Sequence, residues 1–194
     1  MALVKHGITA STPKNIVLGA GTYYKDLKFT AGQSSGWSGT CLGATQGGGK
    51  ISIEGEYLDL ELDGALVLCE GLTIKQGGKA TMEITMAELT ADALTLGAHM
   101  KKESTSTATG FDLYVDKPEI ETGDYVENLA FVGKMASGGK NIIVIFEKAL
   151  CKSAFELEAK HKENAVLKLT FEAYADISGD LDTLPVKIYY PTGA

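Results

Sequence analysis

The chain has no arginine. Its 18 basic residues are all lysine, set against 25 acidic residues, for a formal net charge of −7. Arginine makes the bidentate contacts by which proteins grip phosphates and read base edges. An acidic chain without it is a poor sequence-reading nucleic-acid binder, although it can lie beside nucleic acid without gripping it. Cysteine is scarce: Cys41, Cys69 and Cys151 are odd in number, widely scattered, and form neither C-x-x-C nor a zinc spacing. They read as reduced thiols of a protein made in a cytosol. Proline occurs only 4 times beside 23 glycines, a balance that suits strands joined by tight turns. No apolar run reaches the length of a membrane span, and Met1–Asn15 lacks the apolar segment of a signal peptide. His6, His99 and His161 have no partner pattern, and neither G-x-S-x-G nor H-E-x-x-H occurs. The acidic stretch DLDTLP, Asp180–Pro185, lacks the length and spacing of a calcium loop. No metal, no cofactor and no catalytic residue are expected.

What is present is a pattern of strands. The chain has 194 residues and 44% hydrophobic content, enough for one domain, 1–194, with a substantial core. Ala80, Met82, Ile84 and Met86 alternate with Thr81, Glu83 and Thr85, and Leu167, Leu169, Phe171 and Ala173 alternate with Lys168, Thr170 and Glu172. Val186, Ile188 and Tyr190 alternate with Lys187 and Tyr189. NIIVIFE, from Asn141, is a continuous β-branched run that predicts a strand buried on both faces. Glycine-rich stretches at Gln46–Lys50, Asp63-Gly64, Gln76–Lys79 and Ser137–Lys140 read as turns. One helix is expected in AELTADALTLGAHM, with Thr90 as N-cap, Asp92 in the first turn and Gly97 near the end. Lys101–Gly110 is polar and small and reads as a surface loop. The fold class is mainly β, a two-sheet sandwich or open barrel with one flanking helix and a long extended hairpin.

GATQGGGKI, Gly43–Ile51, superficially resembles a phosphate-binding loop. It has Gly49-Lys50, but Ala44 replaces the first glycine and Ile51 replaces the magnesium-binding hydroxyl. A strand-like run follows directly where a helix should begin, so nucleotide binding is excluded. In Lys50–Asp63 the apolar positions switch from odd (Ile51, Ile53) to even (Leu58, Leu60, Leu62) around Gly55, which suggests a bulge or bend. The strand should turn at Asp63-Gly64 and return through Ala65–Ile74. Leu58, Leu60 and Leu62 should then face apolar neighbours, leaving Asp59, Glu61 and Asp63 on the other side, with Glu54 and Glu56 adding carboxylates nearby. Such pairs are the raw material of glycosidases, but alternation along a strand is also how a solvated sheet face looks. Trp37, the lone tryptophan, is either the plug of a small satellite core or an anchor for a partner.

The order of the segments carries more than any one of them. NIVLGAGTYYKDLKF is followed by LGATQGGGKISIEGEYLDLELDGAL, then by KATMEITMAELT running into a helix. An LKLTFEAYAD strand and LPVKIYY close the chain. From Asn15 to Tyr190 this succession resembles the major tail tube proteins of tailed bacteriophages. The resemblance implies a structural virion protein without enzymatic activity, made and assembled in the host bacterial cytoplasm. It implies hexameric rings stacked into a tube, contacts with other tail proteins (tape measure, terminator, distal tail or sheath), and double-stranded DNA passing through the lumen without specific binding. An N-terminal arm (about 1–20) and a hairpin arm (about 36–75) would reach neighbouring subunits. Trp37, Gly47, Gly48, Gly49, Lys50, Asp63 and Gly64 are the interface candidates, with GATQGGGKI as the flexible base of the arm, ordering on assembly. Glu54, Glu56, Asp59 and Glu61 are candidates to line the lumen, where an acidic wall would repel DNA; their alternative place is the outer solvated face. The competing reading is a β-sandwich module that binds carbohydrate or another surface. It would want a line of exposed aromatics, whereas here the tyrosines are spread along the chain.

Overall fold

The alternation at Ala80–Met86 forms the end of a long strand, and similar patterns build most of the molecule. The structure, a computed structural model, describes residues 7–9, 11–31, 36–136, 140–158, 161–162 and 164–191. His6 and, of the turn expected at Ser137–Lys140, Ser137–Gly139 lie outside them. In chain order the strands are β1 (Val17–Phe29), β2 (Trp37–Cys41), β3 (Thr45–Asp59), β4 (Thr73–Met86), β5 (Met100–Lys102), β6 (Tyr114–Asp116), β7 (Val126–Met135), β8 (Ile142–Cys151), β9 (Leu157–Glu158), β10 (Val166–Ala173) and β11 (Val186–Tyr189), with helix α1 (Ala91–Gly97) after β4. The mainly-β class is as expected. The large sheet runs β2-β1-β7-β8-β10-β4-β3, all antiparallel.

Strand β8 organises this sheet. One edge pairs with β7; the other is divided between β11, at Ile143–Phe146, and β10, at Ala149–Cys151. The fork lets β10-β4-β3 pack over β1-β7-β8. Tyr23, Leu129, Val144 and Phe146 of one layer meet Met82, Ile84, Met86, Leu169 and Phe171 of the other in the main core. The opposite face of β1-β7-β8 holds a second cluster of Leu27, Ala130, Ile143 and Ile145, backed by Tyr24, Trp37 and Val132. The residues of NIIVIFE therefore alternate between two cores, and Ile143 to Phe146 are all buried, as the run of apolar residues predicts.

Helix α1 is capped where the sequence indicates: Thr90 Oγ1 accepts from the N–H of Ala93 at 3.1 Å. Asp92 pairs with Lys25 of β1 at 2.6 Å. Gly97 is its last residue, and a Cβ there would stand 2.4 Å from Leu169 Cδ2, so glycine lets the helix lie on β10. The helix is shorter than its apolar spacing suggests. His99 follows it at φ +50°, its Nε2 2.7 Å from the carbonyl oxygen of Cys151, and Met100 opens β5. Lys101 and Lys102 pair with β6 in a separate small sheet, so only the rest of the expected loop is irregular.

The glycine runs differ from their sequence reading. Gln46–Lys50 is strand rather than turn or flexible base. Thr45 pairs with Met86 and Gly49 with Ile84, so β3 carries extra residues, with Gly47 at φ +81° and Gly48 at φ +78°. Gly49 is required by close approach, because a Cβ would meet Tyr23 Oη at 2.1 Å and Glu83 O at 2.3 Å. Gln76–Lys79 is likewise inside β4. The hairpin is built from Thr45–Met86, and Trp37–Cys41 pairs with β1 instead of belonging to an arm that begins near residue 36. Val17–Ala20, the end of the expected N-terminal arm, are strand residues of β1.

Candidate functional site

The hairpin changes character at one point. Glu56 pairs with Gly77, but Tyr57 pairs with Lys75, so Gln76 is an extra residue on β4. The bulge expected at Gly55 of β3 is not there: β3 pairs regularly through Gly55, and the irregularity lies between Glu56 and Tyr57 with its extra residue in the partner strand. Because β3 itself keeps its alternation, Leu58 shares a face with Glu54 and Glu56, not with Ile51 and Ile53. Beyond the bulge Ile74 sits opposite Leu58 on that same face. Leu58 and Ile74 thus lie on the opposite side of the ladder from the core residues of its base. The expectation that Leu58, Leu60 and Leu62 face apolar neighbours is corrected: all are exposed, as is Ile74. The inserted residue sits in the partner strand, where the pattern of β3 alone does not show it.

The tip continues the theme. A turn forms at Asp63-Gly64, with Ala65 N–H on the Leu62 carbonyl at 3.1 Å and Gly64 at φ +95°. The chain does not return there as a strand; Leu60–Leu72 is an irregular tip and β4 begins at Thr73. Leu66, Val67 and Leu68 are 98%, 77% and 79% exposed. Asp59, Glu61, Asp63 and Glu70 flank them in the sequence, with no lysine between Leu58 and Ile74. Cys69 is exposed here and Cys41 at the end of β2, while Cys151 is buried, and no disulfide joins them.

The acidic row is split. Lys50, Ser52, Glu54 and Glu56 share the outer face of β3. Lys50 lies opposite Glu83, and Glu54 opposite Lys79. Lys79 contacts Glu172 at 2.5 Å, and Glu172 meets Lys152 at 2.6 Å. Lys152, and after it Lys79, holds the Glu172 carboxyl below the usual glutamate range. This face is charge-balanced, not an acidic wall. Asp59, by strand parity, is on the opposite face from Glu54 and Glu56, where it accepts from Thr73 Oγ1 at 2.6 Å.

Trp37 is half-buried against the second core. Its ring lies 5.1 Å from Phe29 and 4.9 Å from Tyr189, the latter edge-on. With Tyr190, Lys140, Asn141, Ile143 and Pro191 these rings line an open cavity of about 400 Å³. Tyr190 donates its hydroxyl hydrogen bond to Asn15 Oδ1 at 3.0 Å. Sequence reasoning treated the tyrosines as dispersed. Their meeting depends on β11 pairing with β8, which no local pattern announces. Of the interface candidates, Gly47 to Lys50 sit at the base of the hairpin against β1, Asp63 and Gly64 at its tip, and Trp37 in the aromatic cluster; the structure does not bring them into one site.

Among the described residues, no group of His, Cys, Asp and Glu stands in metal-binding geometry, and no helix is long and apolar enough to cross a membrane. Compared with protein-family models and with curated proteins, the chain matches none.

Proposed function

We propose that the chain is a structural subunit that polymerises through its hairpin arm, as a phage tail tube protein: hexameric rings stacked into the conduit for genome ejection in the tail of a virion. The observation that carries this reading is the arm, where Leu58 and Ile74 are turned away from the core side of the ladder and the apolar side chains of the tip are exposed. Fully burying one such side chain is worth about 1.5–3 kcal/mol, so a tip carrying Leu66, Val67 and Leu68 has a substantial incentive to find a partner surface. Each subunit has one arm, and a contact between an arm and a different patch of the next subunit is head-to-tail, which closes rings or extends filaments. Charged side chains around the tip keep the free subunit soluble. The proposal does not include a continuous acidic lumen, because Glu54 and Glu56 share their face with lysines.

The test is sedimentation of the wild type beside Leu66→Asp with Leu68→Asp. Both side chains are exposed, so the variant should melt as the wild type does, within about 0.5 kcal/mol. The wild type should grow into ring-sized and larger species with concentration, and the variant should stay small. A wild type that remains monomeric at high concentration sinks the proposal; a variant that assembles normally removes the arm from it.

A further inference from the structure

Phe29, Trp37, Tyr189 and Tyr190 come from opposite ends of the sequence, and the fold gathers them around one opening. Phe29, Tyr189 and Tyr190 are 59%, 45% and 56% exposed, although the larger aromatic side chains of the core, Tyr23, Phe146 and Phe171, are fully covered. Ile143, buried in the second core, forms the floor, with Trp37 packed beside it. Two kinds of group line the rim. Aromatic rings set at steep angles to one another offer separate apolar surfaces. Lys140, Asn141 and the two tyrosines bring polar groups to the same lining, and the Tyr190 hydroxyl is oriented by Asn15. A volume of about 400 Å³ lies within the range of small-molecule sites, which combine apolar walls with a few directed polar groups.

An aliphatic side chain from another protein would satisfy the rings and strip water from Asn141 and Lys140 without replacing it. A sugar ring has both characters, a face of C–H groups that packs on an aromatic ring and a girdle of hydroxyls that bond at its edge. We infer that this cavity is a binding site for a pyranose unit of an oligosaccharide or polysaccharide. Tyr189 and Phe29 supply the stacking surfaces, and Asn141 and Lys140 bond the hydroxyls. The site is separate from the hairpin arm and does not depend on tube assembly.

Trp37 is the only tryptophan, so its emission reports on this cavity directly. The full chain is titrated with chito-, cello-, malto- and manno-oligosaccharides, with calorimetry as a second readout. A saturable change with at least one of them is expected. Tyr189→Ala and Asn141→Ala should each weaken binding by roughly 2- to 10-fold, the size of one aromatic pair or hydrogen bond; Asn141→Ala should melt as the wild type does, and Tyr189→Ala should melt a few degrees lower because it also loses its contact with Trp37. Leu66→Asp with Leu68→Asp should bind as the wild type does, whether or not it assembles. No saturable response to any of these sugars overturns the inference, and so does binding that Tyr189→Ala and Asn141→Ala leave intact. If Tyr189→Ala instead lowers the sedimenting mass and no sugar binds, the cavity is a contact between copies of the chain.

Discussion

Gly49→Ala is the sharpest probe of the glycine run. In the folded chain an added Cβ would stand 2.1 Å from Tyr23 Oη and 2.3 Å from Glu83 O, both far inside normal contact. Neither neighbour yields easily. Tyr23 is 1% exposed and its ring packs on Phe131 at 5.4 Å, while Glu83 O is main chain of β4. Overpacking of this kind costs about 1–3 kcal/mol, and two fixed neighbours place the substitution near the upper end. For a chain of this size each kcal/mol lowers Tm by about 2–4 °C, so a fall of roughly 4–12 °C is expected at concentrations where the protein is monomeric. Gly64→Ala is the control: at φ +95° with nothing within 4 Å, it carries backbone strain alone, about 1 kcal/mol. Adding Tyr23→Phe to Gly49→Ala removes the 2.1 Å contact but not the one at 2.3 Å, so part of the loss should return. Urea denaturation of the three variants measures this. If Gly49→Ala lies within about 0.5 kcal/mol of wild type, the run is not a packed strand and its reading as a flexible loop is restored.

Two further substitutions test the framework. Thr90→Ala removes the acceptor for the Ala93 N–H and should cost about 1 kcal/mol in the same denaturation assay. Glu172 joins Lys152 and Lys79, and Asp176 and Asp124 are held below their usual ranges too. Lys148 lowers Asp176; at Asp124 burial pushes upward, and the Lys117 ammonium with the Glu121 N–H overrides it. A carboxylate with a lowered folded pKa stabilises the fold above its unfolded value and loses that contribution as pH falls through the folded one. From the ordinary values of 4.5 for Glu172 and 3.8 for the two aspartates, stability should be level above about pH 5 and decline progressively below it. Glu172→Gln should be less stable at neutral pH with a shallower acid decline. Identical acid slopes in variant and wild type would contradict the ion-pair reading.

The parts of the fold set by local rules were legible in advance. Thr90 announced a helix start because its hydroxyl can satisfy an N–H two or three residues on, and the apolar run before Glu147 could only be a doubly buried strand. The glycines misled because glycine serves two purposes. At Asp63-Gly64 it makes a turn, but at Gly49 it admits Tyr23 from a distant strand, and sequence spacing does not distinguish them. The leucines of the arm misled in another way: alternation shows which residues share a face, and not whether anything covers it. An extra residue in β4 then set Ile74 on the same side as Leu58, away from the core. The aromatic cavity was illegible because Trp37 and Tyr189 meet only after β8 has gathered both β7 and β11.

The central claim is assembly through the arm, and negative-stain electron microscopy of the concentrated full chain tests it most directly. Six-fold rings or hollow tubes are expected, at the hexamer count the tail tube resemblance implies, and they should be lost in Leu66→Asp with Leu68→Asp. Uniform single particles of monomer size (20.5 kDa), at every concentration and with other tail proteins added, would contradict it.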